Sequence, residues 1–252
     1  MNRFSAERIS RSTPDFVLIG ILVLLVGFGA SMLYSASYYR AEILYGDAEQ
    51  FFRRQVVWIL LGAVAAVIAM QIPIGFIRKC IPALLLVSLV LMALSFVPGV
   101  GARYLGARRW IFLFGYSFQP SELVKLALVL YLAFILERKQ DRMDDPVNAL
   151  LPPLIVVVVF ASLIYMQNDF STALFVSFIS LVMFFVAKVR IRYFLSLGVM
   201  TIPLAIILLL SREHRVNRIL AYLDPAHDPS DTGYQVLPSR TALVQGGIWG
   251  RG

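Results

Sequence analysis

Charged residues are scarce in this 252-residue chain: they make up 15% of it, against 59% hydrophobic residues. A soluble domain has roughly a quarter of its residues charged, so this balance indicates a membrane protein. Cysteine occurs once, as Cys80, which excludes an internal disulfide and a multi-cysteine metal site. The two histidines, His214 and His227, have no cysteine partners and do not indicate a zinc site.

The small charged fraction is nevertheless basic, and the net charge of the chain is +8. Its lysines and arginines are spread between apolar stretches instead of forming one block. This spacing favours anionic lipid headgroups and phosphorylated lipids as partners over nucleic acid.

Apolar stretches long enough to cross a bilayer dominate the chain. A bilayer core of about 30 Å needs roughly 20 apolar residues per helix. Backbone groups in lipid must be hydrogen-bonded within their own segment, and the stretches lack the alternation of barrel strands, so helices are predicted. We therefore predict an all-α, polytopic transmembrane bundle of seven helices over 15–210, followed by a large extracytoplasmic loop over 211–252. The predicted spans are 16–36, 55–74, 80–98, 119–136, 149–166, 170–187 and 193–210.

The distribution of lysine and arginine predicts the orientation. With a cytoplasmic N-terminus, the inside segments carry eleven basic residues in 44 positions, whereas the outside segments carry eleven in 83. This twofold difference in density favours a cytoplasmic N-terminus. It also leaves an arginine-rich exterior, concentrated in GARYLGARRWI (101–111) and SREHRVNRI (211–219).

Ionisable residues near the predicted spans are candidates for a functional site, because charge inside a membrane is costly. Glu122 and Lys125 are three residues apart at the start of the fourth helix, a spacing that allows an ion pair. They could wall a cavity or form an interfacial pair at a helix end. Asp169 lies in a very short connection, where it could cap the next helix or face a cavity. Pro120 suits the first turn of the fourth helix and makes Gln119 the expected cap position.

The stretch LDPAHDPSDTGYQ (223–235) is acidic and turn-forming in an otherwise apolar chain. Its Asp-Pro steps are typical of turns, and it departs from a calcium loop because the twelfth position is Ser239. Arg212, Arg215 and Arg218 precede it and could hold a phosphate. Long connections in compact bundles are often functional. The residues alone leave two interpretations open: a turn, or a carboxylate that accepts a proton while arginines stabilise a leaving phosphate.

Four motifs, in this order, resemble the SEDS family (shape, elongation, division and sporulation proteins). They are GARRWI (106–111), FQPSELVK (118–125), NDFSTA (168–173) and DPAHDPSDTGYQ (224–235). The resemblance covers essentially the whole chain. It implies a ten-helix protein that polymerises lipid II at the outer face of the bacterial cytoplasmic membrane as an inverting glycosyltransferase. It also implies a class B penicillin-binding protein and other division-site membrane proteins as partners.

The resemblance assigns roles to individual residues of this chain. Asp228 matches the family's essential aspartate and is the predicted general base. A divalent cation, Mg²⁺ or Mn²⁺, could pair with the pyrophosphate, although no motif fixes its ligands. The predicted substrate-binding residues are Trp110, Glu122, Lys125 and Asp169, which match family positions around an outer cavity, and Arg109 and Arg218, which we assign as phosphate contacts.

Two features depart from the family pattern. The chain ends at GGIWGRG, where the family continues into three more helices, so we expect 1–252 to be a single SEDS-type domain without them. Pro238 occupies a place where the family has glutamine, which predicts a change in the local helix start. The stretch 33–58 is closer to the division branch than to the elongation branch. Two other functions stay open: a flippase for a lipid-linked precursor, and a scaffold that recruits a penicillin-binding protein.

Overall fold

The computed structural model describes residues 15–104, 107–113, 116–140, 149–211, 216, 217, 220, 223, 236–247 and 250. Eight helices of eleven residues or more and three short strands lie within these residues. They belong to two compact units, the first ending at Ile72 and the second running from Pro73 to Gly250.

The first unit is a pair of packed helices, α1 (Phe16–Tyr45) and α2 (Gln50–Gln71). The Asp15 carboxylate caps α1 by accepting hydrogen bonds from the backbone N–H groups of the second and third helical residues, both at 3.0 Å. Gly46 ends the helix with a φ of 66°, which favours glycine. An ion pair between Arg53 and Asp47 ties the first turn of α2 to this connection.

The second unit contains five long helices. They are α3 (Ile74–Leu94), α4 (Pro120–Lys139), α5 (Leu151–Met166), α6 (Phe170–Val186) and α7 (Ile191–Leu210). Among these, α4 is central, since it packs against α3, α5 and α6. Its buried residues recur every fourth position, the spacing that keeps side chains on one face of a helix. They are Val124, Leu128, Leu132 and Leu136, and they join a core that includes Val157, Phe160, Ile164, Val176 and Phe184.

The helices have the length and composition of membrane spans. Each of α1, α2 and α3 is long and apolar enough to cross a membrane, and α5, α6 and the 201–210 part of α7 are shorter apolar helices. Large apolar side chains cover their outer surfaces, for example Leu24, Val182 and Val199. The predicted fold class is thus confirmed: the chain is a multi-pass helical membrane protein. The helix ends differ from the predicted spans, most of all at α1, which continues nine residues past position 36.

A small antiparallel sheet, which the sequence did not predict, lies between α3 and α4. Its strands are β1 (Gly101–Tyr104), β2 (Ala107–Leu113) and β3 (Tyr116–Phe118), in the order β1-β2-β3. Ile111 of β2 is buried, and β2 packs against α4. Gly101 approaches α3 so closely that an added Cβ would lie 1.9 Å from the carbonyl oxygen of Ser95.

A further helix, α8 (Val236–Gly246), lies within the segment 211–252, the predicted extracytoplasmic loop. Pro238 is its third residue and lies in the first turn, where the missing N–H removes no hydrogen bond from the helix. Glycine 247 follows the helix with a φ of 58°.

Candidate active site

One end of the second unit is formed by the sheet, the start of α4 and the α5–α6 turn; it is called the sheet end below. Asp169 is the centre of a group of polar side chains there. Its side chain is only 5% exposed. The carboxylate accepts a hydrogen bond from the backbone N–H of Thr172 at 3.3 Å and so caps α6. It also accepts one from the Gln119 side-chain amide at 3.3 Å and pairs with the Arg109 guanidinium at 3.8 Å. The cap interpretation of Asp169 is therefore confirmed, and its place beside a cavity stays a prediction.

Arg109 connects the sheet to the α5–α6 turn. It extends from β2 and donates a hydrogen bond of 2.5 Å to the backbone carbonyl of Asn168. Asn168 has a φ of 63°, a conformation that asparagine tolerates better than most residues. The Arg109 side chain is 34% exposed. Because a guanidinium has five N–H donors, its exposed part can still bind an anion.

Gln167 anchors the same turn from the other side, and the sequence analysis did not single it out. Its side-chain amide donates a hydrogen bond of 2.6 Å to the Ser95 hydroxyl, which donates one of 2.7 Å to the Met92 carbonyl. Gln167 and Ser95 are both buried. The two residues stand 72 positions apart, so no local motif connects them. The signal that could have found Gln167 is an amide at the end of an apolar span.

Glu122 and Lys125 form the predicted ion pair on α4, with 2.7 Å between Oε2 and Nζ. The Lys125 Nζ also lies 5.7 Å from the centre of the Phe175 ring, within reach of a cation–π interaction. Lys125 borders a small cleft between α4 and α6. The rest of the cleft wall is mostly apolar and consists of Leu128, Val129, Leu132, Val176, Ile179 and Ser180.

Trp110 does not face the Arg109–Asp169 pair. Side chains alternate along a strand, so Arg109 and the buried Ile111 point to one face of β2. Trp110 is half-buried on the opposite face, together with the exposed Phe112. Its place beside the cavity stays a prediction.

Two predicted site residues, Asp228 and Arg218, lie outside the described residues. Within the described residues, no three His, Cys, Asp or Glu side chains come together, and the Asp169 carboxylate is paired with Arg109. The sheet end thus presents two partly exposed cations, Arg109 and Lys125, each beside a carboxylate. Such an arrangement can bind a phosphate while both acids remain ion-paired.

The model of the FtsW/RodA/SpoVE family, described as cell cycle proteins, matches residues 16–252. The chain belongs to this family. A probable peptidoglycan glycosyltransferase FtsW from Geobacter sulfurreducens is 39% identical over 238 residues, which are 94% of this chain and 64% of the relative. Stage V sporulation protein E from Bacillus subtilis is 34% identical over 242 residues, covering 96% of this chain and 66% of the relative. The chain thus spans about two thirds of the length of these family members.

Solved structures of the family have the same fold. A chain from a peptidoglycan synthase complex that coordinates polymerization and crosslinking superposes with a TM-score of 0.70 at 29% identity. The match covers 91% of this chain and 65% of that one. The rod shape determining protein RodA from Thermus thermophilus matches 71% of this chain, with a TM-score of 0.55 and 28% identity. These comparisons confirm the resemblance read from the four motifs.

Proposed function

We propose that the protein is a peptidoglycan glycosyltransferase that polymerises lipid II during cell division. The observation that carries the proposal is the pairing of two partly exposed cations, Arg109 and Lys125, with carboxylates at the sheet end. The chain enters the loop that contains Asp228 after α7, which ends at Leu210. The relatives named peptidoglycan glycosyltransferase FtsW, at 32–39% identity, support the same activity and the division branch.

The proposed reaction is an inverting substitution at an anomeric carbon. A sugar hydroxyl of the acceptor forms a bond to the anomeric carbon of the donor, and the bond from that carbon to the pyrophosphate oxygen breaks. Asp228 accepts the proton of the attacking hydroxyl. Arg109 and Arg218 bind the departing pyrophosphate and stabilise its negative charge. Asp169, which accepts a hydrogen bond from Gln119, holds the Arg109 side chain. Trp110, Glu122 and Lys125 complete the binding surface.

The proposal sets an orientation and a set of partners. The N-terminus is cytoplasmic, which puts the sheet end at the outer face of the bacterial cytoplasmic membrane, where lipid II presents its sugars. The synthase complex among the structural matches supports a class B penicillin-binding protein as the partner, with other division-site membrane proteins. Residues 1–252 act as a single SEDS-type domain.

The test is reconstitution of the full-length protein with its penicillin-binding partner and lipid II. Asp228→Asn should abolish glycan strands while the protein still folds and binds its partner. Asp231→Asn, in the same loop, is the matched control and should retain synthesis. Wild-type synthesis by Asp228→Asn would refute the general-base role. Loss of synthesis with an intact complex would exclude a pure scaffold, and loss of lipid II translocation without loss of polymerisation would support a flippase.

A further inference from the structure

The second unit has a charged surface at the end opposite the sheet, hereafter the basic end. A salt bridge marks it: the Arg78 Nη2 group, near the start of α3, donates to both carboxylate oxygens of Glu137, near the end of α4, at 2.9 and 2.8 Å. The α6–α7 turn belongs to the same end, because α6 begins at the sheet end with its cap Asp169 and packs along α4. Three segments that are distant in sequence thus meet there.

Basic residues dominate this end. Glu137 is the one acidic residue that the structure describes in 73–80, 137–140, 149–150 and 186–193. The same ranges contain seven basic residues. The segment 141–148 has a net charge of −2, so the net charge of this end stays positive. The basic residues are Arg78, Lys79, Arg138, Lys139, Lys188, Arg190 and Arg192.

Six of these seven residues are exposed, and three of the six represent three different segments: Lys79 from α3, Arg138 from α4 and Lys188 from the α6–α7 turn. Their positions are set by the backbone, since two lie on helices and Lys188 has a φ of 60° in a tight turn. Because the three cations are on separate elements, the motion of one side chain does not displace the other two. Such a surface attracts an anion more strongly than isolated charges would.

Exposed apolar side chains lie directly beside these cations. Ile74 and Phe76 precede Lys79 on α3 and are 62% and 57% exposed, and Val186 precedes Lys188 and is 72% exposed. In the bilayer, acyl chains cover these side chains, so the cations beside them lie at the depth of the lipid headgroups. The combination of cations with adjacent apolar surface therefore selects an amphiphile with an anionic head.

We propose that the basic end binds anionic phospholipid, with the phosphate held by Lys79, Arg138 and Lys188 and the acyl chains along the neighbouring apolar side chains. The site is separate from the sheet end, and its existence does not depend on the proposed glycosyl transfer. It would favour membranes rich in anionic lipid as the surroundings of the protein.

The test uses the full chain, purified in detergent and stripped of lipid, with bound lipid counted by native mass spectrometry. Phosphatidylglycerol, phosphatidylcholine and glycerol phosphate are added separately at equal concentration. The wild-type protein should retain phosphatidylglycerol in preference to the other two. In the triple variant Lys79→Gln, Arg138→Gln, Lys188→Gln, each lost charge should weaken phosphatidylglycerol binding about fivefold.

The matched control is Arg108→Gln, which removes an exposed cation from the sheet. It should keep the wild-type preference. Equal retention of the two phospholipids by the wild-type protein would overturn the proposal, and so would an unchanged preference in the triple variant. Equal binding of glycerol phosphate would also overturn it, since that result would identify a soluble anion as the ligand. Circular dichroism of both variants shows that they fold.

Discussion

At the scale of single residues, Gly101 in the sheet has no space for a side chain. The atom that blocks a side chain there is a backbone oxygen of α3, which cannot rotate away. Gly198, in contrast, has open space around its α-carbon within α7. Sterics therefore require glycine at position 101 but not at position 198, and alanine substitutions should have opposite effects on stability at the two positions.

We expect Gly101→Ala to lower the free energy of unfolding by about 1–3 kcal/mol, because either β1 or the end of α3 must shift. Gly198→Ala should raise it by about 0.5–1 kcal/mol, because alanine loses less conformational freedom in a helix. Thermal unfolding in detergent measures both. Equal stability of the two variants would contradict the close approach of β1 to α3.

Gln167 gives a second prediction at this scale. Gln167→Leu leaves the buried Ser95 hydroxyl without its amide partner, so we expect a loss of about 1–3 kcal/mol in unfolding free energy. In a polymerisation assay, KM for lipid II should also rise, because the turn that holds Arg109 loosens. Ser88→Ala is the control: Ser88 is equally buried on α3, but its hydroxyl bonds only to the Leu84 carbonyl of its own helix. That variant should match the wild-type protein in both measurements.

At the scale of elements, the antiparallel pairing of α3 and α4 is closed by Arg78 and Glu137 at one end. Their side chains are 45% and 38% exposed, so water screens the attraction. The Arg78 guanidinium also lies 5.9 Å from the centre of the Phe134 ring on α4. The contact therefore aligns the two helices more than it stabilises them.

A double-mutant cycle with Arg78→Gln and Glu137→Gln should give a coupling energy below about 1 kcal/mol. The coupling should shrink as salt is raised, because exposed charges are screened. Lys79→Gln, which removes the neighbouring cation, should show no comparable coupling to Glu137→Gln. A coupling of several kcal/mol that is insensitive to salt would mean that the pair is shielded from water.

The helices could be predicted from the sequence, whereas the sheet could not. Apolar length alone identifies α4 to α7 to within three residues, whereas α3 begins six residues before its predicted span. It fails at the end of α1, because hydropathy stops at the polar Ser37 while helical hydrogen bonding continues to Gly46. The strands of the sheet are three to seven residues long, and each begins with a glycine or directly follows one in the sequence, so the segment is typical of turns. Their pairing depends on contacts with α3 and α4 that no local pattern records.

The candidate site divides in the same way. The spacing of Glu122 and Lys125 predicts their ion pair because both lie on one helix. The pairing of Arg109 with Asp169 joins a strand to a turn 60 residues later, so only the fold reveals it. The link from Gln167 to Ser95 is longer still. Interactions within one element follow from the sequence, and those between elements require the packing.

For the whole molecule, orientation in the membrane is the property to test. In a Cys80→Ser background, Gln140→Cys reports the basic end and Ser117→Cys reports the sheet end, and both positions are exposed. With a cytoplasmic N-terminus, a membrane-impermeant maleimide should label Ser117→Cys on intact cells and Gln140→Cys only after lysis. The reverse pattern would place the basic end outside and refute the proposed orientation.

The α5–α6 connection consists of only three residues, 167–169, which keeps the ends of the two helices close together. Three residues span at most about 11 Å when fully extended, so the end of α5 and the start of α6 cannot separate. Each residue of this link is also tied sideways: Gln167 to α3, Asn168 to the sheet, and Asp169 to the start of α4. A displacement of any one of these elements should therefore move the others. The Arg109 guanidinium, which contacts both Asn168 and Asp169, should move with them.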